Sequence, residues 1–164
     1  MPLEAAARRA LLDRYRTGPA LLRRAWLELP AETRSWRPAE GRWSAQEVVV
    51  HCADSETYAA IRIRLLLAER DPLIVGYDEN EWARRFDYHA ADPELALHLV
   101  ETVRAHTLAM LVRLQEAAWG QMGRHTQSGP YGTDDWLRSY GEHLEIHAGQ
   151  IGRNLAEWEA RHAR

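Results

Sequence analysis

Four long stretches of this chain place apolar residues three and four positions apart, and glycine- or proline-bearing segments separate them. That spacing gathers apolar side chains on one face of a helix, and such faces are stable only when packed against one another. The first stretch runs from about Leu3 to Leu29, with Leu11, Tyr15, Leu22 and Trp26 on its face. Thr17-Gly18-Pro19 interrupts it, and a proline without a backbone donor predicts a kink or a split there. The second opens at Ser44, where Ser44-Ala45-Gln46-Glu47 has the form of a capping box, and reaches about Glu69 with Val48, Cys52, Ser55, Ala59 and Ile63 aligned. The third starts at Asp92-Pro93, a cap followed by proline in the first turn, with Leu99, Val103, His106, Met110 and Leu114 as its stripe. The fourth follows the glycine-rich GQMGRHTQSGPYG, is capped by Thr133, and carries Trp136, Tyr140, His143, His147, Ile151 and Trp158.

Helices of about 25 residues are close to 40 Å long, and four with apolar stripes pack most simply as a bundle. The expected fold is all-α, one four-helix-bundle domain over residues 1–164, with no strands because alternation of apolar and polar residues never persists. Helices two and three are joined by residues 71–91, far beyond the roughly 2–8 residues usual in bundles. Such length more often serves a site, and a helical turn around Glu81 to Arg85 is expected within it.

Composition removes several function classes. A net charge of −3 offers no field for a phosphate backbone, so nucleic acid is not expected as a partner. Every basic residue other than histidine is arginine, which excludes lysine Schiff-base chemistry. The single cysteine, Cys52, closes no intrachain disulfide and fits a reducing compartment. MPLEAAARRALLDRYR mixes acids and arginines among its apolar residues, unlike a signal peptide, and no apolar run approaches the roughly 20 residues of a membrane span. A cytoplasmic protein without a membrane partner is expected.

The stretch GEHLEIHAGQI sets His143 and His147 one turn apart, only about 40° from pointing the same way. Either both rings are satisfied inside a core, or they close on one metal ion. Two imidazoles bring four nitrogens needing partners to an apolar stripe, and a metal would satisfy one on each ring at once. The pattern is not HExxH: Glu145 sits two residues from each histidine, on the far side of the helix, where it cannot serve water on their metal. A third ligand must come from another helix, and His51, on the apolar side of helix two, is the best placed. Cys52 points about 100° away from His51 and cannot share its ion.

GRWSAQEVVVHCADSE, PLIVGYDENEWA and YGEHLEIHAGQI, in that order, resemble the three signature blocks of the DinB/YfiT-like superfamily. The nearest resemblance is to its bacillithiol transferase branch, in which a Trp-Ser/Thr-x-x-x-Val-x-x-His-x-x-Asp motif precedes a Tyr-Asp-Glu-x-x-Trp-Ala segment. It covers about Arg37 to Ile151. The resemblance implies a DinB-like four-helix bundle holding one divalent ion by His51, His143 and His147. Nickel, zinc, iron and manganese all suit three neutral imidazoles. Members of this superfamily are linked to transfer of a low-molecular-weight thiol, of bacillithiol, mycothiol or glutathione type, to a small electrophile, and others to hydrolysis or isomerisation. The resemblance thus implies the site more narrowly than the reaction. Leu144 stands where some relatives carry a further histidine.

Around the triad, Asp54 could hold a ring nitrogen or a substrate group, and Arg62 an acidic group of the cosubstrate. Gln150 is a candidate support for His147. Tyr77, Asp78 and Trp82 are candidates for a lid or wall over the cavity. His89, His125 and His162 are expected in solvent, His98 on a helix surface, and His106 in the core. Three functions remain open: a metal-dependent S-transferase, a metal-dependent hydrolase using water, and a non-catalytic, stress-related metal-binding bundle. Trp119 and Trp158, read as outward-facing, leave room for a homodimer.

Overall fold

The structure, a computed structural model, describes residues 2–163. Its long helices are α1 (Ala5–Leu27), α2 (Ala45–Ala68), α4 (Pro93–Leu111) and a broken fourth rod made of α5 (Thr133–Gly141) and α6 (His143–His162). A short helix, α3 (Glu79–Arg85), lies in the connection after α2. Both α1 and α2 pack against α4 on one side and against α5 and α6 on the other, while barely meeting each other. Consecutive helices α1 and α2 therefore lie on a diagonal, which explains the length of the segment joining them.

Local chemistry sets the helix ends. The Ser44 hydroxyl accepts from the Glu47 N–H at 3.3 Å while the Glu47 carboxylate accepts from the Ser44 N–H at 2.8 Å, the reciprocal cap expected from sequence. The Asp92 carboxylate caps α4 through the N–H groups of Glu94 and Leu95. Three expectations need correction. Pro19 does not split α1, which runs unbroken through it. The fourth rod is interrupted at Glu142, immediately before His143. The buried face of α4 is Ala96, Leu97, Val100, Arg104, Thr107 and Leu111, leaving Leu99 and His106 exposed. An arginine and a threonine on that inner face hid its register from the apolar pattern.

Arg104 explains two of these corrections. A proline at position 19 leaves the Tyr15 carbonyl without its helical donor, and Arg104 Nη1 donates to that oxygen at 2.8 Å. Arg104 Nη2 likewise donates to the Tyr140 carbonyl at 2.8 Å, in the last turn of α5, where carbonyls lack intrahelical partners. The guanidinium also forks onto Glu56 at 2.6 and 2.7 Å and lies 3.7 Å from the Tyr15 ring centroid. This polar layer divides the core into two apolar clusters, one around Trp26, Val48, Leu97 and Ile151, the other around Tyr15, Ile63, Leu111 and Trp136. Gly18 and Gly141 let α1 approach the broken rod here: a Cβ on either would stand 3.0 Å from Leu144 or Leu11.

A small sheet, not expected from sequence, joins the two long connections. β1 (Leu73–Ile74) runs parallel to β2 (Met122–His125), and β2 pairs antiparallel with β3 (Gly129–Gly132). Strands of two to four residues are too short to show alternation. Residues 126–128 close the hairpin, with Gly129 at φ +78° after them, as three-residue loops require. Trp119 is buried against Arg8 rather than outward-facing, and the half-buried Trp158 stacks on His162.

Replacing Arg104 by Met should strand the Glu56 charge and two carbonyls in the core, costing about 3–5 kcal/mol. Urea denaturation reads this, and Arg104→Met with Glu56→Leu should recover part of the loss.

Candidate metal centre

His51 comes from the second turn of α2, and His143 and His147 from the first two turns of α6. Their ring centroids lie 4.6 to 5.6 Å apart, and one nitrogen from each lies within 4.8 Å of the others. The break at Glu142 falls immediately before His143, so α6 opens with the first histidine of the pair.

Each α6 ring is held by its Nδ1. His143 Nδ1 is 2.9 Å from Glu56 Oε1, and Glu56 is fully buried and held by Arg104. His147 Nδ1 is 2.8 Å from Gln150 Oε1. A carboxylate and an amide oxygen accept, so each Nδ1 donates, while His143 Nε2 faces Ser55 Oγ at 3.5 Å. His51 is packed by Trp43, with ring centroids 4.8 Å apart, and its buried Nδ1 has no partner among the described residues. Its Nε2 lies 3.8 Å from Glu79 Oε2, on the open side. Three imidazoles, each with a nitrogen within 4.8 Å of the others, are a donor set that a divalent transition ion fits.

Burial and the neighbouring imidazoles push His51 down to about 2; burial and His143 push His147 down to about 4. Both are neutral at pH 7. Burial by itself would raise the Glu56 carboxyl, yet Arg104 beside it and the His143 hydrogen bond hold it below the usual carboxylate range. Glu56 is therefore an anion that can accept from His143.

The triad lines a cleft of roughly 380 Å³ together with Ser55, Arg62, Tyr77, Glu79, Tyr140 and residues of the β2–β3 hairpin. Arg62, read from sequence as a partner for an acidic group of the cosubstrate, and Tyr77, read as lid or wall, both line this cleft. Gln150 supports His147 from behind. Asp54 does not reach a ring nitrogen: its carboxylate accepts from Tyr88 OH at 2.6 Å. Asp78 caps α3 through the N–H groups of Asn80 and Glu81, a consequence of its position one residue before the helix. Trp82 packs on Tyr77 at 4.3 Å and braces the wall without lining it. His125, expected in solvent, lines the cleft because β1–β2 pairing folds the hairpin over it. His106 lies outside the core. Glu56 and Glu79 carried no sequence signal, while Ser55 and Tyr140 were read only as members of the apolar stripes, although Ser55 is i,i+4 to His51 and Tyr140 i,i+3 to His143.

Residues 14–151 match the sequence profile of the DinB superfamily, and the chain belongs to that family. Relatives include proposed metal-dependent hydrolases of Oceanobacillus iheyensis and Bacillus licheniformis. The first is 30% identical over 133 residues, 81% of this chain and 77% of that protein. The second is 38% identical over 120 residues, 71% and 67% of the two chains. In fold, the chain superposes on YfiT from Bacillus subtilis, described as having an unusual four-helix bundle topology, with a TM-score of 0.85 at 24% identity over 97% of this chain and 89% of that one. A mycothiol-dependent maleylpyruvate isomerase shares the fold with a TM-score of 0.70 at 16% identity, over 88% of this chain and 60% of the isomerase.

An unfolded histidine takes up a proton near pH 6.5. Below that pH the unfolded chain binds more protons than the metal-free fold, in which His51 and His147 stay neutral, so stability falls as pH falls. Chelator-treated protein should melt at a constant temperature above about pH 6.5 and lose on the order of 1 kcal/mol per pH unit for each of these histidines between there and pH 4. Thermal melts across that range check it, and His51→Gln with His147→Gln should flatten the profile.

Proposed function

We propose that this protein is a divalent-metal-dependent S-transferase that joins a low-molecular-weight thiol, of bacillithiol, mycothiol or glutathione type, to a small electrophile. The observation behind the reading is the convergence of His51, His143 and His147 on one point at a cleft, with two rings oriented by Glu56 and Gln150. His51, His143 and His147 would hold the ion, which could be nickel, zinc, iron or manganese. When bound, it supplies Lewis acidity that lowers the pKa of a thiol or water in its open position.

The protein's own residues supply the rest. Glu56 and Gln150 fix the imidazole tautomers, so the lone pairs stay turned to the ion. The apolar packing of Trp43 behind His51 keeps water from its buried side. The Tyr140 and Tyr77 hydroxyls stand on the wall, where a thiol or its acceptor can be oriented. Burial pushes the Tyr77 hydroxyl up to about 12, so it remains a protonated donor at neutral pH.

Thiol over water is favoured by the Trp43–Asp54 and Tyr77–Ala83 blocks, which resemble the bacillithiol transferase branch, and the mycothiol dependence of an enzyme sharing the fold points the same way. Hydrolysis is the second reading, supported by the names of the relatives; it needs the same site with water as nucleophile. A structural ion in a non-catalytic bundle is the third, and it leaves the cleft and its polar wall without a use.

Purified protein should contain one divalent ion by elemental analysis and consume glutathione in the presence of monochlorobimane. Chelation, His51→Ala or His143→Ala should remove both the ion and the thiol loss. Thiol-free cleavage of p-nitrophenyl acetate at a metal-dependent rate, with no thiol consumption, would establish the hydrolase instead. Gln150→Leu should weaken metal binding by about 10–100-fold, read by chelator competition.

A further inference from the structure

Among the described residues three arginines are buried: Arg8, Arg62 and Arg104. Two are neutralised by carboxylates, Arg8 by Asp134 and Glu116 and Arg104 by Glu56. Arg62 is 9% exposed and has no acidic partner among the described residues. Its Nη1 donates to Tyr140 OH at 2.8 Å and its Nη2 to the Val75 carbonyl at 2.6 Å. The guanidinium lies 4.5 Å from the Tyr58 ring centroid and 5.6 Å from that of Tyr77. Nε has no acceptor, and each terminal nitrogen keeps an unused N–H. A cation removed from water without a counter-charge is unfavourable, and it persists where an anion joins it.

Arg62 lines the same cleft as the three histidines. The one acidic residue in that lining, Glu79, lies at the histidine end, 3.8 Å from His51 Nε2. The wall near Arg62 offers donors instead: the Tyr140 hydroxyl, Ser139 and, from the hairpin, His125 and Gln127. His51 and Arg62 are eleven residues apart on α2, about three turns, so their side chains leave the helix on the same side. Tyr140, whose hydroxyl accepts from Arg62 and whose ring centroid lies 5.7 Å from that of His143, bridges the two ends.

We infer that Arg62 is the docking point for a carboxylate on a ligand whose other end lies at the three histidines. Only the location of that other end rests on the function proposed above. The unused N–H groups suit a carboxylate, which a guanidinium binds as a planar fork, and the two aromatic rings hold the fork in place. One tyrosine side chain separates the two ends, which selects small ligands whose carboxylate stands a few bonds from the atom presented to the histidines. The carboxylate belongs either to the thiol or to its acceptor.

Calorimetric titration of the metal-loaded protein separates these sources. One arm compares glutathione with its diethyl ester, the other glutarate with its dimethyl ester. In the unsubstituted protein the free acid should bind about 10–100-fold tighter than the ester in at least one arm, as expected for a charge-assisted hydrogen bond. A preference with glutathione places the carboxylate on the thiol; a preference with glutarate alone places it on the acceptor. In Arg62→Gln the acid-to-ester ratio should fall towards one while metal content and the helical circular dichroism signal stay unchanged. That control is needed because a metal also attracts carboxylates. Should Arg62→Gln not fold, Arg62→Lys, which keeps the charge but not the fork, should show a reduced ratio. A ratio unaltered by substitution at Arg62, equal affinity for acid and ester, or no binding of any of the four compounds overturns the inference. An Arg62-dependent preference in protein that elemental analysis shows to take up no divalent ion keeps this subsite while the metal reading fails. Metal-loaded protein with no such preference removes Arg62 alone.

Discussion

A single buried guanidinium, that of Arg104, ties the bundle together. It joins the Glu56 carboxylate on α2, the Tyr15 carbonyl released by Pro19 on α1, and the Tyr140 carbonyl at the end of α5. Every long rod of the bundle has a departure from regular apolar packing at this level. Glu56 then passes the connection to His143. Buried ion pairs add little net stability, because desolvation offsets most of their attraction, but they are intolerant of misregister. Here that intolerance fixes the relative height of four rods, and the height of α6 against α2 decides whether His143 and His147 meet His51.

Much of this was visible in the residues alone. The caps at Ser44 and Asp92, the four rods and the one-turn spacing of His143 and His147 are local properties, so local rules find them. The convergence of His51 with the pair came from matching blocks, since nothing in a helical period says which faces meet. Arg104 and Glu56 were missed for a physical reason: periodicity sends charged residues outward, and only their mutual neutralisation makes burial tolerable. The same blindness misplaced the face of α4. Asp54 reads as a holder of a ring nitrogen or a substrate group and Asp78 as part of a lid or wall; Tyr88 and the α3 N-terminus claim their carboxylates instead.

The cleft depends on segments that have no regular pattern. Pairing of Leu73 with Arg124 and Ile74 with His125 pins two connections to each other, and the Gly76 N–H donates to Thr126 Oγ1 at 2.8 Å beside them. Gly76 is tightly placed, since a Cβ there would stand 2.5 Å from Gln127 Oε1. The bundle therefore supplies the histidines, while loops distant in sequence supply the wall that shapes what can reach them. Variation in those loops can change the substrate without disturbing the donor set.

Placing α1 and α2 on a diagonal has an effect on how the chain reaches its native state. The first two helices to emerge during synthesis gain almost nothing from each other and cannot form a stable hairpin. Their partners are α4 and the final rod, so closure waits for contacts between residues more than a hundred positions apart, such as Arg14 with Glu142 and Arg8 with Asp134. A topology of that kind raises contact order and slows folding relative to an up-and-down bundle of equal size. It also makes the histidine cluster an all-or-none feature: no fragment ending before α6 can assemble it, so an incomplete chain cannot present a half-formed site to free metal.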